Sequence, residues 1–132
     1  MKDILISIWP EWAALIYQGK KTVEFRRRLP ASASDWRRMY IYETKPVQMV
    51  TGFADIMPYS SSVRGLWVAF GQAGCINQAD YLDYMKGAVR AWGLDIRRIF
   101  KFAEPLPLSS FGFERPPQSW YYTLTNASTQ RR

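Results

Sequence analysis

The sequence contains no histidine, and Cys75 is its only cysteine. A structural zinc site needs about four cysteine and histidine ligands, so this chain cannot build one. Catalysis by Ser-His-Asp or Cys-His groups is excluded for the same reason. Any acid–base chemistry must therefore come from aspartate, glutamate, lysine, tyrosine or a chain terminus. We expect neither a metal ion nor an organic cofactor.

Long apolar runs are also missing from the sequence. No stretch approaches the roughly 20 apolar residues that a membrane-spanning helix needs. The apolar start of the chain is interrupted at Pro10, which is too early for a secretory signal peptide. A single cysteine is typical of a reducing compartment. These absences predict a cytoplasmic protein with no membrane partner.

Basic residues outnumber acidic ones. The 132 residues include 18 lysines and arginines against 11 aspartates and glutamates, a net charge of +7. This excess favours anionic partners, with nucleic acid the leading candidate, although charge alone does not distinguish RNA from DNA. A hydrophobic content of 48% is enough for a buried core. We predict one domain over residues 1–124 and a flexible tail over residues 125–132; the oligomeric state stays open.

Hydrophobic periodicity predicts an α+β fold, because some segments alternate apolar and polar residues whereas others repeat at helical spacing. The predicted strands are residues 4–8, 22–28, 39–43, 47–57 and 91–102, and a short final segment follows at residues 118–124. The predicted helices are residues 10–19, a helix capped within Ser60–Ser62, and one opened by Asn77 or Gln78 with Tyr81, Leu82 and Met85 as its apolar face. Gly52 indicates a bulge or a close backbone approach, and a second bulge is expected near Arg97. We expect about five to six strands, closed into a small β-barrel and flanked by short helices.

The densest chemical signal lies in residues 19–28, where five of ten residues are basic and one is a glutamate. One interpretation is a solvated strand face whose charges pair weakly with one another. The other places Lys21, Glu24 and Arg26 around one cleft. There Arg26 could form paired hydrogen bonds with a phosphate or a base edge, while Lys21 supplies a point charge or a base. Thr22 and Arg28 would extend this binding strand.

Gly19, Lys21, Glu24 and Arg26 match the G-x-K-x-x-E-x-R pattern, and the chain resembles the ASCH domain family of the PUA-like superfamily. The similarity is closest to a subgroup with Lys-Thr-Val-Glu-Phe-Arg-Arg, which stands here at residues 21–27, and it spans roughly residues 4–124. The resemblance implies a PUA-like barrel that binds RNA or a modified nucleotide in a cleft beside the motif. It also implies a regulatory role in translation or transcription.

The same resemblance implies an alternative activity, that of an amidohydrolase or another RNA-processing hydrolase, because some small family members hydrolyse N4-acetylcytidine to cytidine and acetate. Lys21 matches the catalytic lysine of those amidohydrolases. Glu24 stands where they carry a catalytic threonine, so the hydrolase alternative would use Lys21 as base with Glu24 as its partner. A third alternative is a protein-interaction module in which the basic strand only confers solubility.

Further binding candidates lie outside the motif. Tyr40 and Tyr42 share one strand face, and the functional interpretation is that this face forms a base-stacking platform for single-stranded RNA, with Tyr42 as the stacking residue. The alternative is that both tyrosines pack inside the barrel. Gln118 and Ser119 could read a base edge or cap a turn. Trp9 and Trp12 are expected to pack together at the start of the first helix.

Overall fold

The computed structural model describes residues 2–123, so Leu124 and the predicted tail lie outside the described residues. Within residues 2–123, no helix is long and apolar enough to cross a membrane. The six strands are β1 Lys2–Ile8, β2 Val23–Arg26, β3 Trp36–Glu43, β4 Met49–Ser62, β5 Arg90–Leu106 and β6 Trp120–Tyr122. The three α-helices are α1 Pro10–Tyr17, α2 Val63–Phe70 and α3 Gln78–Tyr84. The α+β class is confirmed.

All six strands belong to one sheet, in the order β2-β5-β4-β3-β1-β6. The β1–β3 pair is parallel, and the other pairs are antiparallel. β2 and β6 are the edges, so the predicted closure into a barrel is not observed among residues 2–123. In the described part of the chain, a gap with no backbone pairing lies between β2 and the β1–β6 end of the sheet, and we call this gap the seam. The Arg26 side chain crosses the seam from β2 and bonds to Ser7 of β1 and to Ser119 next to β6.

Short-range signals account for the helix ends. α1 has Pro10 at its first turn, and Gly19 adopts φ +77° just after it, a conformation that glycine accepts without strain. Ser62 caps α2 by accepting a 2.9 Å hydrogen bond from Gly65 N–H. Asn77 caps α3 in the same way. The predicted caps are therefore confirmed, although α1 ends two residues before Gly19.

The β4–β5 hairpin is longer than the sequence pattern indicated. Pairing continues to Ser62 opposite Arg90, so the serines that precede α2 lie in β4, and only Ser62 also acts as a cap. Register shifts occur at both predicted bulges, at Gly52 and opposite Arg97. Gly52 also passes so close to Phe100 that a Cβ there would overlap the Phe100 carbonyl oxygen.

Three clusters form the core. The first packs α1 on one face of the sheet around the buried Trp36, and the second covers the opposite face around Tyr40. The third packs α2 and α3 against β2, where Tyr81 donates a 2.6 Å hydrogen bond to the Val63 carbonyl. The apolar face of α3 is narrower than predicted because Leu82 is 51% exposed.

Candidate functional site

A cavity of about 560 Å³ opens beside β2, within the range of roughly 300–1,000 Å³ found for small-molecule sites. Its walls come from the ends of β1 and β3, the start of α1, β2, the segment before α3, the end of α3 and the segment before β6. The lining residues are Ser7, Ile8, Trp9, Trp12, Lys21, Glu24, Phe25, Arg26, Tyr42, Thr44, Lys45, Gln48, Gly74, Ile76, Tyr84, Pro116, Pro117 and Gln118.

Three motif side chains form a buried ion cluster on the cavity wall. Arg26 donates to Glu24 Oε2 from Nε at 2.9 Å and lies 2.8 Å from it through Nη2. Lys21 Nζ lies 3.4 Å from Glu24 Oε1. The side chains of these three residues are only 6–14% exposed. The interpretation of this strand as a solvated charged face is therefore wrong, because the polar face of β2 points into a covered cavity.

Arg26 uses most of its donors to hold the protein together. Nη2 donates to the Ser7 carbonyl at 2.9 Å, and Nη1 donates to Ser119 Oγ at 3.0 Å. Ser7 Oγ in turn donates to the Pro117 carbonyl at 2.6 Å. The guanidinium thus joins β2 to β1 and to the segment that forms one cavity wall. A paired hydrogen bond from Arg26 to a ligand phosphate, as the sequence suggested, would require breaking these contacts.

Lys21 holds a different wall. Its ammonium donates a 2.7 Å hydrogen bond to the Gly74 carbonyl and lies 4.9 Å from the centre of the Trp12 ring. A carbonyl, a carboxylate and an aromatic face all stabilise an ammonium ion. Lys21 therefore ties the segment around Gly74 to Glu24 and to α1.

The other predicted site residues divide into three groups. Tyr42 and Gln118 line the cavity, and Tyr42 is only 3% exposed because it also packs in the second core cluster. Ser119 lies behind the wall and supports Arg26, whereas Thr22 and Arg28 are exposed and do not line the cavity. Burial raises the pKa of the Tyr42 phenol, and a hydrogen bond with Gln48 partly offsets this.

One prediction about a tyrosine and one about a pair of tryptophans need correction. Tyr40 is fully buried between Phe53 and Phe111, so it packs in the core and cannot stack on a ligand. Trp9 is 61% exposed, so the expected packing of Trp9 and Trp12 as a staple is wrong. Both tryptophans line the cavity instead.

Sequence reasoning missed several wall residues, among them Lys45, Gln48 and Tyr84. Tyr84 is 43% exposed at the end of α3, and its hydroxyl accepts a 3.2 Å hydrogen bond from Arg27 N–H. Lys45 and Gln48 lie in the turn between β3 and β4, where Gln48 has φ +55°. A positive φ on a non-glycine residue is a signal of functional sites, but it is visible only in the structure.

The cavity combines aromatic walls with positive charge. Trp9, Trp12, Phe25, Tyr42 and Tyr84 supply the aromatic surface. Three cationic side chains and one carboxylate line the cavity, so its charge favours an anion. Such a combination suits a ligand that carries both a flat ring and a phosphate.

In this α+β structure, a short helix leads into a basic motif strand, and a cavity lies beside that strand. These features define the class of protein as one with an ASCH-type fold. The family model for the ASCH domain matches residues 6–97, and the chain belongs to this family. A curated relative from Zymomonas mobilis, named ASCH domain-containing ribonuclease, is 41% identical over 97 residues. That match covers 73% of this chain and 65% of the relative.

Other comparisons extend the relationship. The crystal structure of ASCH from Zymomonas mobilis superposes with a TM-score of 0.83 at 34% identity, over 98% of this chain and 92% of that one. A large ribosomal subunit protein uL22 from Ureaplasma parvum is 24% identical over 123 residues, which cover 92% of this chain and 39% of that protein. The chain thus spans less than two thirds of the length of these curated relatives.

Proposed function

We propose that this domain binds single-stranded RNA and takes one unstacked nucleotide into the cavity. The observation that carries the proposal is a nucleotide-sized recess with aromatic walls and an excess of positive charge. Proteins read single-stranded RNA by splaying bases out, stacking them on aromatic rings and hydrogen-bonding their edges. A duplex keeps its bases stacked inside, so it could not fill such a recess.

Within the cavity, different residues have different tasks. Tyr84, which is 43% exposed, offers ring surface for the base, whereas Tyr42 is only 3% exposed and closes the cavity wall. Gln48 and Gln118 carry amides, which can donate to and accept from a base edge. The buried ion cluster of Lys21, Glu24 and Arg26 shapes the walls, as its hydrogen bonds to backbone and side chains support.

A titration with labelled RNA tests this proposal. We expect a mixed-sequence single-stranded 12-mer to bind more tightly than its duplex, with an affinity that falls as salt rises. Tyr84→Ala should weaken single-strand binding about 5- to 150-fold, the range for loss of one stacking contact. Tyr59→Ala is the control, because Tyr59 is also 43% exposed but does not line the cavity. Equal effects of the two substitutions would rule out the cavity as the RNA site.

RNA cleavage is a second candidate, favoured by the 41% identity to a protein named ribonuclease. Incubating the protein with the same single-stranded RNA and resolving the products by electrophoresis tests it. A parallel incubation with N4-acetylcytidine, read by chromatography for cytidine, tests the amidohydrolase alternative. In the amidohydrolase alternative, Lys21 Nζ would have to leave the Gly74 carbonyl and Glu24 to reach a substrate. If the affinity for RNA does not change with salt concentration, the result would instead favour a protein-interaction module.

A further inference from the structure

Trp9 is exposed in a way that packing does not explain. It lines the cavity, yet 61% of its surface is open to solvent. Its indole ring makes no hydrogen bond and no ring contact with any other residue from 2 to 123. Its backbone is fixed, because it is the N-cap of α1, it precedes Pro10, and its carbonyl accepts a 3.0 Å hydrogen bond from Ala13 N–H. A tryptophan with a fixed backbone and an exposed indole ring is typical of a contact surface.

The parallel pairing of β1 and β3 brings the turn that contains Lys45 close to Trp9. Ile8 is in register with Glu43, and Thr44 N–H donates a 3.0 Å hydrogen bond to the Ile8 carbonyl. The next residues along the two strands are therefore Trp9 and Thr44, and neighbouring strands lie about 4.8 Å apart. Lys45 follows Thr44 in the turn after β3, and both Trp9 and Lys45 line the cavity. Lys45 is exposed and forms no ion pair within residues 2–123.

We propose that Trp9 and Lys45 form a second nucleotide subsite on the rim of the cavity. This inference rests on the proposed function, since it adds a neighbour to the nucleotide held inside. The base of the adjacent nucleotide stacks on the outer face of Trp9, and the phosphate that links the two nucleotides meets the Lys45 ammonium. The ligand is then a dinucleotide step of single-stranded RNA, and a free nucleoside fills only half of the site.

Binding of short ligands tests the subsite by calorimetry. The probes are 2′-fluoro dinucleotides of all sixteen sequences, their mononucleotides, and analogues of the tightest dinucleotide that lack one base or the other. The fluorine removes the 2′-hydroxyl nucleophile, so the ligand stays intact during the measurement. The wild-type protein should bind the tightest dinucleotide about 5- to 150-fold more tightly than either of its mononucleotides. One of the two base-deleted analogues should bind no more tightly than a mononucleotide, although it keeps the phosphate.

Trp9→Ala should lower the affinity for the dinucleotide to that of this base-deleted analogue and change the mononucleotide affinity less than about twofold. Phe100→Ala is the matched control, because Phe100 is 48% exposed on β5 and does not line the cavity. Lys45→Ala should reduce the slope of log affinity against log salt by about one phosphate contact, close to 0.7. Arg64→Ala removes the same charge from an exposed position outside the cavity and should leave that slope unchanged.

The outcomes separate the two proposals. If wild-type protein binds mononucleotides and dinucleotides equally well, the rim subsite does not exist, while the cavity proposal stands. If Trp9→Ala abolishes mononucleotide binding as well, with thermal unfolding unchanged, Trp9 belongs to the inner site and the separate subsite is wrong. If no probe binds the wild-type protein, both proposals fall.

Discussion

Replacing Glu24 with glutamine is the sharpest test of how the cavity is held in shape. The substitution keeps the size of the side chain but removes the charge that Lys21 and Arg26 share at 3.4 and 2.8 Å. Removing one partner of a buried ion pair typically costs about 3–5 kcal/mol, because the remaining charge is left buried and unpaired. Glu24 is 12% exposed at its side chain, and glutamine retains one acceptor oxygen, so we expect about 3 kcal/mol.

For a chain of this length, a loss of about 3 kcal/mol lowers the melting temperature by roughly 10 °C. Urea unfolding at pH 7, followed by circular dichroism, measures the free energy directly. Asp95→Asn is the matched control, since it removes the partner of Arg97, whose side chain is 54% exposed. An exposed pair of this kind contributes under about 1 kcal/mol.

The same variant should also lose RNA affinity at temperatures where it stays folded. Without Glu24, the Arg26 guanidinium is no longer held in place to reach Ser7 and Ser119, so the wall formed by residues 116–118 loses its support. A free energy of unfolding within about 1 kcal/mol of the wild type would refute the reasoning, because it would mean that the ion cluster does not organise the site.

Two further substitutions test the sheet. Gly52→Ala should destabilise the fold by at least about 2 kcal/mol, because the new Cβ would overlap the Phe100 carbonyl and lie 2.7 Å from the Tyr17 hydroxyl; an unchanged urea midpoint would contradict this close packing. Burial alone would raise the pKa of Asp55, but hydrogen bonds and charge interactions with Arg38 and a second arginine outweigh it and lower that pKa below 3.8. The resulting stabilisation is present above 3.8 and disappears as the pH falls through the lowered value. The stability difference between wild type and Asp55→Asn, followed by thermal melts from pH 6 to pH 2, should therefore shrink below pH 3.8, and a constant difference would contradict it.

Local sequence signals predicted the local structure well. The caps at Ser62 and Asn77 and the bulge at Gly52 depend on residues within a few positions of each other or on one residue's backbone freedom. Their positions could be read from side-chain chemistry alone. The Leu82 prediction failed because the third core cluster contacts only part of the α3 face.

The candidate site was predicted only in part. The spacing of Glu24 and Arg26 correctly placed them on one face of β2, since alternate residues of a strand share a face. Lys21 precedes β2 and reaches Glu24 from outside the strand. Alternation does not say whether that polar face meets water or a polar cavity. Here the segments around Gly74 and Pro117, more than 40 residues away along the chain, cover it. That covering converts three surface charges into a buried ion cluster.

The sequence by itself determined the absence of histidine chemistry, the positive charge, the α+β pattern and the motif strand, because these depend on composition and on neighbours along the chain. Only the tertiary structure decided which strands pair, and hence that β1 and β3 run parallel and bring Trp9 next to Thr44, with Lys45 in the turn that follows. It also decided that the sheet formed by residues 2–123 stays open at the seam, where Arg26 of β2 bonds to Ser7 of β1 and to Ser119 next to β6. Strand pairing joins residues about 35 positions apart, and the periodicity of a single strand carries no information about its partner.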